Sequence, residues 1–323
     1  LRLPRSARPA RSTGLLATAT ATLLLATGCG GDTSASTSSA GNELKGATFT
    51  IGSKDFTESI VLGQITLDLL KAHGATVKDK TNIKGSVTTR QALTSGDIDM
   101  YWDYTGTGWI SYLKHTAPIA DAAKQYTAVR DEDLKKNKIV WLTPAPLNNT
   151  YALAVEQSTA TKLGLNKLSD VTALAKSDPS KATFCLESEF STRDDGWPGV
   201  KKTYGIDVPS SNVKMLDTGL IYDQTAKGKT CTFGEVFTTD GRIKSLKLKV
   251  LTDDKSFFPV YNASLTLPKS VTDKYPDIAK IIAPVAAKLT NDTMVKLNAD
   301  VDVDGLTPAE AAKQWLDAEG FLK

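Results

Sequence analysis

Apolar positions along this 323-residue chain fall into two rhythms, short continuous runs and longer stripes at helical spacing. Runs at residues 47–51, 76–81, 98–102 and 139–142 read as strands. The stripe Ile60, Gly63, Leu67 and Leu70 and the stretch 88–94 read as helices between them. Strand, helix, strand, helix is the order of a parallel sheet. After the polar helical stretch 121–136 and the last of these runs, Pro144 and Pro146 break the rhythm, and 147–155 reads as an extended passage into a second unit. That unit repeats the alternation, with helices at 160–163, 171–176 and 218–227, a helix start at Pro198, and strands at 182–185, 231–237 and 248–251. Residues 257–267 form a second extended passage. The closing helices, 278–289 and 311–322, the latter opened by the capping box Thr307 and Glu310, have no strands of their own to cover and should pack back on the first unit. The pattern predicts an α/β protein of two lobes, 44–148 with 262–323 and 149–261, facing each other across a cleft.

Two stretches carry candidate chemistry. The first strand ends at Lys54, and Asp55 to Glu58 has the spacing of a capping box, which sets Lys54 beside free backbone donors and the positive end of a helix dipole. An anion is welcome there, although a lone Lys at a helix start serves equally well as a solvated charge. Arg193, shortly before Pro198, is a second cation near a helix start. The stretch 96–109 holds four aromatics, three acids and three glycines, and its Thr105-Gly106-Thr107-Gly108 cannot continue the strand before it. The carboxyl end of such a strand is where open α/β sheets hold ligands. Aromatics at that turn also fit a plain core role.

Composition separates the amino terminus from the rest. Arg2, Arg5, Arg8 and Arg11 precede an apolar and small-residue stretch at 14–26, too short to span a bilayer comfortably and laid out as a secretory signal. Leu25-Ala26-Thr27-Gly28 before Cys29 has the form of a bacterial lipobox, which predicts cleavage before Cys29 and a lipid on its sulfur; ordinary signal cleavage nearby is the alternative. Loss of residues 1–28 removes four Arg and no acid, so the formal net charge of +3 becomes −1. No basic patch interleaved with aromatics then remains for nucleic acid. Residues 29–43 read as a flexible tether. Export places Cys185 and Cys231 in an oxidising compartment, where one disulfide is the simplest outcome. A catalytic thiol is the alternative, but His73 and His115 lie far from both in sequence. No metal-ligand spacing or cofactor motif is evident.

Six segments in order carry a likeness to a known family: 52–58 (GSKDFTE), 99–107 (DMYWDYTGT), 149–152 (NTYA), 189–196 (EFSTRDDG), 234–242 (GEVFTTDGR) and 254–261 (DKSFFPVY). Together they resemble the substrate-binding proteins of osmoprotectant ABC importers, which take up glycine betaine, choline, carnitine or proline betaine. The resemblance implies a type II periplasmic-binding-protein fold with two crossover segments and an aromatic cage around a quaternary ammonium group. It assigns Tyr104, Tyr151 and Tyr261 to the cage, with Phe237 where relatives often present Tyr, and Lys54, Thr107 and Arg193 to the ligand's carboxylate. It implies a lipid-anchored, extracytoplasmic monomer that serves a permease and an ATPase on separate chains. A choline-type ligand leaves Arg193 and Lys54 without their obvious partner, which favours a betaine. Alternatives are the same fold binding choline, ergothioneine or another polar solute, and an exported enzyme. Against the last stands the lack of a Gly-x-Ser-x-Gly elbow, a metal cluster or a His paired with Cys or Ser.

Overall fold

The computed structural model describes residues 41–323, so the predicted signal, the lipobox with Cys29 and most of the tether lie outside the described residues. Strand β1 (Thr48–Lys54) runs parallel to β2 (Thr76–Ile83), with helix α1 (Thr57–Ala72) between them in sequence. Helix α2 (Ser86–Ser95) leads to β3 (Tyr101–Tyr104), which joins β1 through the parallel bridge of Ile51 with Met100. β3 in turn pairs antiparallel with β10 (Ala263–Pro268), and β10 antiparallel with β4 (Ile139–Trp141). The first lobe therefore carries strands in the order β2-β1-β3-β10-β4.

The second lobe repeats that scheme with other strands. Its sheet runs β7 (Val213–Met215), β6 (Phe184–Leu186), β8 (Phe233–Phe237), β5 (Tyr151–Glu156) and β9 (Leu248–Val250). β6 is parallel to both its neighbours, while β5 is antiparallel to β8 and β9. The chain crosses between sheets twice, at 142–150 and 251–262. The helices Asp277–Lys288, Asn291–Asp302 and Pro308–Glu319 return to the first lobe and pack on α1, burying Ile281, Val285, Leu297 and Leu316, and the capping box of Thr307 and Glu310 forms. Among the described residues no helix is long and apolar enough to cross a membrane.

Cys185 on β6 and Cys231 just before β8 are joined in a disulfide, with their Cα atoms 5.7 Å apart. The two strands are parallel neighbours, so the bond ties adjacent strands beneath the helix Thr218–Lys227, where Ile221 packs on it.

One local expectation differs from the structure. The capping box at Asp55 and Glu58 does not form: α1 begins after Phe56, whose extended backbone starts the helix without a side-chain cap. Glu58 turns inward, where four donors from other segments outcompete a single exposed N–H. The turn after β3 winds on as helix through 105–112, and its glycines have a packing reason. A Cβ at Gly106 would stand 2.6 Å from the Tyr261 ring and one at Gly108 2.7 Å from Trp141, so both rings lie against bare backbone.

Candidate ligand-binding site

The carboxyl ends of β1, β3, β6 and β8 all open toward a cavity of about 240 Å³ between the two sheets. That volume is below the roughly 300–1,000 Å³ of pockets that hold drug-sized molecules, so the space suits a solute of few heavy atoms. Five rings face it: Phe56, Tyr104, Tyr151, Phe237 and Tyr261. Each has a local reason to be there. Tyr104 ends β3, Tyr151 opens β5 directly opposite Phe237 at the end of β8, and Tyr261 stands two residues before β10. Phe56 sits at the tip of the turn from β1 into α1.

The rings form a connected wall. Tyr151 lies 5.1 Å from Phe237 and meets Tyr261 edge-on at 5.4 Å between centroids. Phe56 stacks on Phe237 at 5.0 Å and reaches Tyr104 at 5.9 Å. The hydroxyls are committed elsewhere: Tyr104 donates to Glu58 Oε1 at 2.8 Å and Tyr261 to Asp195 Oδ2 at 2.6 Å. Burial first, and neighbouring carboxylates next, hold the Tyr104 and Tyr261 phenols far above their usual range, so both stay neutral donors. What they turn to the cavity is ring surface, the part that attracts a cation.

Lys54 lines the same cavity but is not free. Its Nζ lies 2.7 Å from Asp103 Oδ1, with both side chains buried, and 5.1 Å from the Tyr104 ring centroid. Thr107 also lines the cavity. Arg193 does not; it lies behind the wall, 5.5 Å from the Tyr151 ring centroid. There its guanidinium holds Asp195 through two bonds, of 2.7 and 2.5 Å, donates to Glu189 Oε1 at 2.7 Å and reaches Thr107 Oγ1 at 3.4 Å. The structure thus brings Lys54, Tyr104, Thr107, Tyr151, Phe237 and Tyr261 onto one surface and sets Arg193 just outside it. Both cations assigned to a ligand carboxylate already have protein carboxylates as partners.

Trp102 and Trp109, close to Tyr104 in sequence, stay out of the cavity. Trp102 is core, donating to Thr66 Oγ1 at 2.8 Å, and Trp109 stacks on His115. Residues that sequence reasoning passed over take their places on the wall: Phe56, Asn149, Glu187 and Glu189. Phe56 lay inside a motif read as a capping box, which hid it. Glu189 gave only a faint signal, its four-residue offset from Arg193, because its other bond is to Ser86, 103 residues away in sequence.

The acids of the second lobe differ sharply in character. Burial pushes Glu189 up, but Arg193, Lys54 and the Ser86 N–H outweigh it and carry the group down to about 2. Burial raises Glu187; the Glu189 N–H lowers it and the Glu189 carboxylate raises it, for a net rise. Glu235, beneath the wall on β8, is pushed up to about 8 by burial and by those two neighbouring carboxylates, against the single N–H of Glu187 at 2.8 Å. Among the described residues no group of three or more His, Cys, Asp or Glu is arranged to hold a metal ion.

Comparison with known proteins gives the fold and the cavity a context. The profile of the family described as the substrate binding domain of ABC-type glycine betaine transport systems matches residues 47–318. The glycine-betaine-binding protein of Pseudomonas aeruginosa is 36% identical over 280 residues, covering 85% of this chain and 89% of that one. The glycine betaine-binding protein YehZ of Escherichia coli is 33% identical over 84% of this chain and 91% of its own. A crystal structure named for a glycine betaine/carnitine/choline ABC transporter superposes with a TM-score of 0.68 at 31% identity, covering 85% of this chain and all of that one. The chain belongs to the family of solute-binding proteins that serve ABC-type glycine betaine transport systems, and it is not an enzyme.

Proposed function

We propose that this protein captures a small quaternary ammonium solute, glycine betaine or a related betaine, within the ring-lined cavity and delivers it to an ABC permease and ATPase on separate chains. In this reading it works as a monomer outside the cytoplasmic membrane, tethered by a lipid on Cys29, in keeping with the lipobox before that residue. The observation that carries the proposal is the convergence of Tyr104, Tyr151, Phe237 and Tyr261, joined by Phe56, on one cavity of small volume. A trimethylammonium group donates no hydrogen bond, so ring faces and dispersion must hold it. Each desolvated contact contributes roughly 0.5–2 kcal/mol. Four or five rings then supply several kcal/mol toward the about −8 kcal/mol of micromolar affinity, the rest coming from dispersion and apolar burial in the closed cleft.

Isothermal titration against glycine betaine, proline betaine, carnitine, choline and ergothioneine tests it. At least one quaternary ammonium compound should bind with micromolar affinity or better, and Tyr151→Ala should weaken that binding at least tenfold. Silence toward the whole panel rejects the ligand class. One observation favours a second reading within that class: Lys54 and Arg193, the cations assigned to a ligand carboxylate, are held by Asp103 and by Asp195 and Glu189, and the other lysine on the lining, Lys84, is solvent-exposed and 3.9 Å from Asp217. A ligand without a carboxylate, of the choline type, meets that surface unchanged.

A further inference from the structure

Glu189 stands between the two lobes in an unusual role. It follows β6 in the second lobe, yet its Oε2 accepts the backbone N–H of Ser86, the first residue of α2 in the first lobe, at 2.8 Å. Helix α2 has no cap of its own, since the residue before it is Gly85, so this carboxylate from across the cleft takes the capping place. The other oxygen, Oε1, accepts from Arg193 at 2.7 Å. Lys54 adds an attractive field from the first lobe. A helix amino terminus, an arginine and a nearby lysine are the surroundings that a bound carboxylate requires. The protein has filled them with its own.

We infer that Glu189 is the specificity-determining residue of the cavity, an internal carboxylate occupying the subsite that the anionic end of a zwitterionic ligand would otherwise take. This rests on the quaternary ammonium reading above. A cation bearing a hydroxyl docks against the rings and leaves Glu189 in place, gaining its negative charge as a neighbour. A betaine must either displace Glu189 from Ser86 and Arg193 or leave its own carboxylate beside Glu189 and Glu187, with the solvent-exposed Lys84 of the lining as the cation left to offset them. The same side chain therefore rewards one ligand and penalises the other. Asp195 cannot play this part, because it lies behind the wall, fully engaged by Arg193 and the Tyr261 hydroxyl.

The test is the ratio of dissociation constants for glycine betaine and choline, measured by titration on the wild-type protein and on Glu189→Gln. The ratio cancels any change in stability or closure that affects both ligands alike. Glu189→Gln should move it at least tenfold toward glycine betaine, through weaker choline binding, tighter betaine binding or both. A ratio unmoved within about threefold, or shifted toward choline, overturns the inference. Should the variant fold poorly, crystal structures of the wild-type protein with each ligand decide it. Glu189 on Ser86 with choline and swung away with glycine betaine supports the assignment; Glu189 on Ser86 in both complexes overturns it. A wild-type protein silent to both ligands overturns this inference, and silence toward the whole panel overturns the quaternary ammonium reading with it. Binding with an unmoved ratio overturns this inference alone.

Discussion

The two lobes share one strand order and one set of strand directions, yet they satisfy the buried charge at the cleft to different degrees. In the first lobe two buried cations are each matched by one acid, Lys54 by Asp103 and Arg90 by Asp133 behind it, while the buried Glu58 is held by four neutral donors and raised by burial. In the second lobe Glu235 is buried on the central strand β8 without a hydrogen-bonded cation among the described residues, and Arg193 is shared by two carboxylates. Each lobe holds ion pairs and one fully buried carboxyl without a hydrogen-bonded cation among the described residues. Glu58 in the first has four donors where Glu235 in the second has one, and the second lobe adds a covalent bond between Cys185 and Cys231. A shared topology thus fixes where the cleft walls lie and leaves open how their polar groups are held. Substitutions that remove one partner should therefore have different consequences in the two halves.

The largest effect is expected in the first lobe. Lys54→Met leaves Asp103 buried without its cation, and breaking a buried pair from one side costs about 3–5 kcal/mol. Urea unfolding should show that loss, and the double variant Lys54→Met with Asp103→Asn should recover most of it. A single variant that costs under about 1 kcal/mol would remove the contrast between the lobes. Next in size is the second lobe's covalent tie. Replacing Cys185 and Cys231 by Ser releases a 46-residue separation, worth ~3–4 kcal/mol on the loop-entropy estimate. Amide exchange should then quicken first on β6 and β8 while β1 and β3 keep their protection. Uniform loss across both sheets would mean that the lobes are one cooperative unit.

Much of this architecture was legible in the chain because its signals are local. Runs and stripes mark the strands and helices, prolines mark the first crossing, and Tyr104, Tyr151 and Phe237 sit at strand ends where side chains must face the cleft. What stayed hidden depends on distant partners. Glu58 has the spacing of a cap but is buried against Tyr104, Asn149, Thr239 and Asn298, from the end of β3, the first crossing, the turn after β8 and a closing helix. Lys54 and Arg193 read as free cations because charge is visible in a sequence and pairing is not. The Arg193 case was within reach, since Asp195 lies two residues on. The insertion of β10 between β3 and β4 had no local trace, being a contact between the two ends of the chain.

The smallest effect, and the one that most directly separates the lobes, concerns Glu235. An unfolded glutamate loses its proton near 4.5, whereas in the folded protein burial and two neighbouring carboxylates lift this group to about 8. Between those values the folded chain holds a proton that the unfolded chain has released. Its contribution to stability is therefore complete below pH 4.5 and is lost as pH rises toward 8. Gln does not titrate, so Glu235→Gln should match the wild-type protein near pH 4.5 and exceed it by roughly 1–3 kcal/mol at pH 8. The gain stays short of the full shift because the second amide hydrogen of Gln also needs a partner in a buried site. Thermal unfolding of both proteins from pH 4.5 to 8.5 measures it, and the difference between them isolates this carboxyl from Glu187 and Glu58, which also titrate upward of their ordinary range. The matching change in the first lobe, Asp103→Asn, should destabilise at pH 8 because it strands Lys54 in the core. If neutralising Glu235 and neutralising Asp103 move stability in the same direction at pH 8, the unpaired Glu235 and the paired Asp103 are not held by different means.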